Sequence, residues 1–305
     1  LVKKNSSNQT SSGLDRDYIT QWSYGIDETW TLLVPNTKGG ASVPLARNEK
    51  AMAKADPQFY EVYQQMGQYW GNQPGTSGPG YVGAFVFMLF ILGLFIVKGP
   101  MKWALFAATV LSVLLSWGRN FMWFTDLFLD YVPMYAKFRT VASILVIAEF
   151  TIPLLAMLAL KELLQNPQSL KEKVTVRERI VNFIFFTPLG AVATKRRDYL
   201  WISFVLSAGC AFLFAIMPTV FFPDYISLAE MNALKQIPSE YLGQLIANLR
   251  EVRISIFTAD CWRSFFIIVL GTAILLLALK KKLQTKYAVG SIVVLCLVDM
   301  WQVNK

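Results

Sequence analysis

The sequence predicts an all-α integral membrane protein with about six transmembrane helices joined by extracytoplasmic loops. Three observations carry that prediction. Hydrophobic residues make up 54% of the chain, and mean hydropathy is positive at +0.41, more apolar than a soluble domain of this length. The apolar residues come in long uncharged blocks rather than amphipathic stripes. The positive charge is confined to alternate connections.

Residues 1–79 precede the first block and read as an extracytoplasmic loop domain; 80–305 read as the transmembrane domain. The first segment is polar and aromatic, with turn signals at Pro35-Asn36, Gly39-Gly40 and 71–75. The Asn5 and Asn8 sequons carry meaning only in a glycosylating compartment. Residues 18–35 alternate well enough for one or two short strands or a structured loop. Residues 57–70 predict a short helix with Phe59, Tyr60, Tyr63, Met66 and Tyr69 on one side. The stretch GNQPGTSGPG then makes a flexible entry to the membrane.

The apolar blocks are 81–97, 103–118, 140–160, 199–222, 264–279 and 287–303. Each lies near the roughly 17–25 residues that span the hydrocarbon core, the second and fifth at the short end. Residues 223–260 read as a mixed amphipathic loop. The connections 98–102, 161–198 and 280–286 hold 14 Lys/Arg against four acids, a net +10; the remainder holds 15 Lys/Arg against 16 acids. These connections are therefore cytoplasmic, and 1–79, 119–139 and 223–260 share the outer side. The same bias accounts for the sequence pI of about 9.4 without nucleic-acid binding. The 14-residue run 180–193 is too short to cross and has basic residues on both sides, so it is read as interfacial or re-entrant.

The chain contains no His, which removes His-based acid–base catalysis, Ser-His-Asp triads and His metal sites from these residues. Cys210, Cys261 and Cys296 lie in or beside apolar blocks, with no metal or disulfide spacing. The polar opening and the stop just beyond an apolar block read as a fragment of a larger protein.

The stretch 117–149 brings charge and aromatics together at membrane depth. As a helix, 121–131 puts Phe121, Phe124, Phe128 and Tyr131 on one arc and Asp126 with Asp130 opposite. Such a helix lies flat on the membrane, aromatics down. Carboxylates at i, i+4 repel, so Arg119, Lys137, Arg139 or a divalent cation is expected beside them; otherwise the acids merely solvate the upper face. Lys137 and Arg139 close the loop where a lipid phosphate would sit, a group Arg grips with two parallel hydrogen bonds; interfacial anchoring is the plainer alternative. Glu149, ten residues into its block, is placed near the midplane, where an ionisable group marks function or structural glue. Pro153 follows it by one turn and predicts a kink. In the first segment Trp22 and Tyr24, with Asp27 and Glu28, suit carbohydrate contacts or a packed loop equally. Asp260 and Arg263 predict an i, i+3 pair, and Asp299 is placed facing the same outer cavity.

The stretches YITQWSYGIDETWTLLVPNTKGG, WGRN…DLFLDYVPMYAKFRTVASILVIAE and VDMWQVNK resemble the bacterial YfhO-type membrane proteins, which are related to GT-C glycosyltransferases. The resemblance covers most of the chain, and PMYAKFR is its most specific part. It implies a middle portion of a GT-C-like protein in the bacterial inner (cytoplasmic) membrane. The implied activity transfers a sugar from a polyprenyl-phosphate donor to a cell-envelope glycan or polymer on the outer face. The catalytic base is expected upstream of this fragment. By the same resemblance Trp22 and Tyr24 contact sugar or acceptor, and Arg119, Lys137 and Arg139 hold the donor phosphate; Asp126 and Asp130 are candidate substrate-binding residues from the helix reading alone, and neither is taken as the base. The alternatives are a transporter or lipid flippase using Glu149 as a midplane carboxylate, and a scaffold for envelope assembly.

Overall fold

A computed structural model describes residues 14–176, 178, 180, 193–235 and 237–303. The described chain is all-helical: no strand occurs among these residues, only isolated bridges at Pro44–Gly67 and Lys173–Lys195. The reading of 18–35 as strands gives way to a short helix Arg16–Ile19 and a 3-10 helix Asp27–Leu32. Local side-chain bonds favour these turns: Asp15 caps Asp17 N, and the Thr20 and Ser23 hydroxyls bond to the carbonyls of Arg16 and Thr20. Residues 180–193, read as interfacial, lie almost wholly outside the described residues, as do the Asn5 and Asn8 sequons.

Four helices are long and apolar enough to cross a membrane: Val141–Gln165, Arg196–Ile216, Ser239–Leu279 and Thr285–Val303. Pro100–Ser116 and Gly118–Tyr131 make a fifth when counted together, although they meet at 106°. The protein is therefore a multi-pass membrane protein. We label the helices α1 (Ala84–Ile96), α2 (Pro100–Ser116), α3 (Met122–Tyr131), α4 (Val146–Gln165), α5 (Arg196–Ile216), α6 (Ser239–Leu279) and α7 (Thr285–Val303).

Two of the expected spans differ in kind. The block 81–97 yields only the 13 residues of α1, roughly 20 Å of helix against a hydrocarbon core of roughly 30 Å. Its apolarity serves burial instead: Phe85, Met88, Leu92 and most of its neighbours are buried among α4, α5, α6 and α7. Close approach is set by small residues, with Gly93 against Leu155 and Gly271 against the Phe85 ring. The block 264–279 is the C-terminal end of α6, whose 41 residues extend roughly 60 Å. Most of the loop expected at 223–260 is thus helix, in the short helix Leu228–Leu234 and in α6. Leu245, Leu249, Val252 and Ile256 form its buried stripe, and they pack on Leu45, Ala51, Phe59 and Tyr63 rather than on lipid. Of the side predicted for 57–70, Phe59 and Tyr63 are buried there while Tyr60 is exposed.

The first segment sits on one end of the bundle. Tyr24 N bonds to Ser116 O at the end of α2, and Ala142 N to Trp22 O at the entry to α4. Ser264 Oγ in α6 bonds to Leu33 O, and Lys38 Nζ to Asp224 O. At the opposite end Arg196 pairs with Glu172 (3.0 Å) and Glu178 (2.5 Å). The segments 14–79, 117–139 and 223–260 therefore meet on the face away from the basic connections 98–102 and 161–198.

Candidate functional site

On that face a cavity of about 590 Å³ is lined by Tyr69, Asn72, Gln73, Arg119, Ser227 and Glu230, among others. Each wall has a local cause. Arg119 follows Gly118, whose positive φ of 45° turns the chain out of α2; a Cβ there would lie 2.2 Å from Ser23 Oγ. Ser23 Oγ accepts from Arg119 N (2.9 Å), and the Arg119 guanidinium donates to Asn72 O. Ser227 and Glu230 form a capping box at Leu228–Leu234. Glu230 is then clamped by fully buried Arg253, whose two terminal nitrogens reach its carboxylate at 2.5 and 2.9 Å.

Behind the wall lies Glu28, only 2% exposed. It accepts from Gly25 N (3.0 Å), Tyr69 Oη (2.7 Å) and Gln73 Nε2 (3.4 Å). Burial pushes its carboxyl above the usual range, against those hydrogen bonds, which favour the anion. Lys38 of the same segment pairs with Asp27. A carboxyl whose folded pKa is raised stabilises the fold below its unfolded pKa of about 4.3. That contribution is lost as pH rises through the raised folded value. We expect thermal stability to gain relative to wild type in Glu28→Gln as the pH is taken from acidic to neutral. Parallel melting curves of the two proteins test this, and an unchanged difference would refute it.

The residues proposed from sequence are divided. Tyr24 is buried, with its hydroxyl on Thr31 and its carbonyl accepting from Asn120; burial raises its pKa well above the ordinary tyrosine value. Its ring belongs to the core. Trp22 is half-buried, and its carbonyl accepts from Ala142 N at the entry to α4. Arg119 lines the cavity. Asp126 and Asp130 share one cation, as expected, but it is Arg16: Nη1 meets Asp126 and Nη2 meets Asp130 at 2.6 Å. The fork of one guanidinium relieves the repulsion that had suggested a divalent ion. Among the described residues no group of three His, Cys, Asp or Glu could hold a metal ion. Arg139 bonds to Tyr18 Oη (2.6 Å) and lines a separate apolar cleft with Tyr135, Phe138, Thr140 and Ser143. That cleft shares no lining residue with the Arg119 cavity. Lys137 is exposed beside it.

Three further acids fall into place. Glu149 stands in the first turn of α4, as the ninth residue of the apolar helix Val141–Gln165. A Cβ on Gly80 would lie 2.9 Å from its Oε1 and 3.3 Å from Tyr24 Oη, so the carboxylate is at the floor of the outer segment. Helix α4 continues through Pro153. Asp260 and Arg263 do pair, at 3.7 Å, and Asp260 also accepts from Asn36 N. Asp299 does not face the cavity. It is buried and accepts from Tyr81 Oη (2.7 Å) and Ala84 N (3.1 Å), capping α1.

Sequence reading missed Arg16, Tyr69, Asn72, Gln73 and Arg253. Only the Ser227–Glu230 spacing carried a local signal, that of a capping box; the others depend on partners far along the chain. No protein-family model matches the chain, and neither a curated protein nor a solved structure does.

Proposed function

We propose that the chain is part of a GT-C-type glycosyltransferase that uses a polyprenyl-phosphate sugar on the extracytoplasmic face of a bacterial inner membrane, with an envelope glycan or polymer as acceptor. The observation that supports this reading most is the Arg119 cavity. It opens on the face away from the basic connections, which the positive-inside bias assigns to the outside. Its walls combine one guanidinium with amide, hydroxyl, carboxylate and aromatic groups. That set fits a sugar carrying a phosphate: Arg119 keeps donors for the phosphate beyond the one given to Asn72 O, and Asn72, Gln73 and Ser227 offer partners for hydroxyls. Glu230 is held by Arg253 and serves as an acceptor of hydrogen bonds, not as a free base.

Binding of a short-chain polyprenyl-phosphate hexose to the purified chain tests the reading. Hydrogen bonds to charged groups contribute about 1.5–3 kcal/mol, so Arg119→Ala should weaken binding roughly 10- to 100-fold. Unchanged affinity in that variant would overturn the assignment.

A further inference from the structure

Helix α3 has three faces. Thr125 and Leu129 are buried, Leu129 against Ile19, Ala136 and Val141. Asp126 and Asp130 flank that face and are taken up by Arg16. The third face is apolar and uncovered: Trp123 is 71% exposed, Leu127 42% and Tyr131 80%, at the i, i+4, i+8 spacing of one helical stripe. The stripe continues into the following turn through Met134 and Phe138, both exposed. Part of the aromatic set expected to face down, Phe121, Phe124 and Phe128, instead forms a ladder of ring contacts from Trp117 to Tyr135.

Two observations say what covers this face. First, α3 leaves the membrane-crossing direction of α2 at 106°, close to the angle that lays a helix in the plane of a bilayer, and it starts at the outer end of α2, whose Val110 and Leu111 are exposed apolar residues. The stripe is thus continuous with the lipid-facing surface of the spans. Second, its edge is cationic. Among the described residues Lys137 has no side-chain partner, and Arg139 engages Tyr18 through its hydroxyl and its ring face at 5.9 Å. Of the two acids that would have cancelled this charge, Asp126 and Asp130, both are paired with Arg16, which offsets one of their two negative charges.

We propose that the stripe Trp123, Leu127, Tyr131, Met134 and Phe138, with Lys137 and Arg139 at its edge, is a docking surface for the anionic headgroup layer of the outer leaflet. The apolar side chains enter the boundary between headgroups and acyl chains, and the two cations meet lipid phosphates. Arg16 favours this contact, because it offsets one of the two negative charges of Asp126 and Asp130 and holds both carboxylates away from the lipid phosphates. The assignment does not depend on the transferase reading. It gives Lys137 and Arg139 to bulk lipid and leaves Arg119 to the cavity.

The test uses the whole chain in nanodiscs of neutral lipid and of neutral lipid doped with an anionic phospholipid. Lipids brominated near the headgroup should quench Trp123, so the quenched fraction should fall in Trp123→Phe while the melting curve stays unchanged. A cation near an anionic surface contributes a factor of roughly five in affinity. Lys137→Ala with Arg139→Ala should therefore reduce the retention of anionic lipid about 25-fold. Equal quenching in wild type and Trp123→Phe would overturn the proposal. So would a Leu127→Cys variant that crosslinks to a second copy instead of reporting an apolar lipid environment, or a double variant that keeps its anionic-lipid preference.

Discussion

Arg253→Ala should lower stability by about 3–5 kcal/mol, the cost typical of breaking a buried ion pair by removing one partner. The side chain is fully buried in the outer half of α6. It donates to the Glu230 carboxylate twice and to the carbonyls of Tyr225 and Gly67 at 2.8 Å each. Its guanidinium also lies 5.3 Å from the centre of the Trp70 ring. One residue thereby ties α6 to 223–230 and to 67–70, two of the walls of the Arg119 cavity. Lysine should not rescue it, because a point charge cannot reproduce the bidentate fork. Arg253→Met with Glu230→Gln should cost less than Arg253→Ala, since no isolated charge is left buried. Melting curves in detergent, with limited proteolysis across 223–238, read both effects. An unshifted midpoint in Arg253→Ala would refute the role assigned to the pair.

The second large effect is steric. Gly271 lies in α6 where it crosses α1, and a Cβ placed on it would come within 2.4–2.7 Å of the Phe85 ring. Both residues are buried, and α1 is enclosed by α4, α5, α6 and α7, so neither helix has room to recede. Gly271→Ala should cost about 1–3 kcal/mol, as overpacking does. Gly271→Leu should prevent assembly of the bundle, giving little monodisperse protein on size-exclusion chromatography. Phe85→Leu should restore part of what Gly271→Ala loses, because residues in contact are not additive. A Gly271→Leu variant with wild-type yield and melting curve would mean that α1 and α6 do not pack as described.

Much of the architecture was legible because partitioning into lipid depends on local composition. An uncharged apolar run of about 20 residues is costly to leave in water wherever it stands in the chain. The helices Val141–Gln165, Arg196–Ile216 and Thr285–Val303 were accordingly visible as blocks, with shifted ends. Hydropathy does not distinguish burial in lipid from burial in protein. That is why α1 read as a full span although it is a 13-residue core helix, and why the outer half of α6 read as a loop. Its Leu245, Leu249, Val252 and Ile256 stripe is diluted by the polar residues of the opposite face.

The site was less legible because its residues are joined across long separations. Arg16 reaches Asp126 and Asp130 over more than a hundred positions. The residue types permit several cations there, and only the docking of the short helix Arg16–Ile19 beside α3 selects one. Tyr24 and Arg119 looked equivalent as polar and aromatic candidates, yet one faces the core and the other a cavity.

The sequence by itself determined that this is a helical multi-pass membrane protein and which connections carry its positive charge, since both follow from the local cost of transferring side chains between water and lipid. The tertiary structure alone decided which charges are spent on one another. Arg16 bridges Asp126 and Asp130, Arg253 holds Glu230, and Asp299 caps α1. A buried or paired charge is fixed by its partner's position in space, and that position is set by packing between segments far apart in the chain. What those pairings leave is Arg119 at a cavity and Lys137 with Arg139 at an apolar edge.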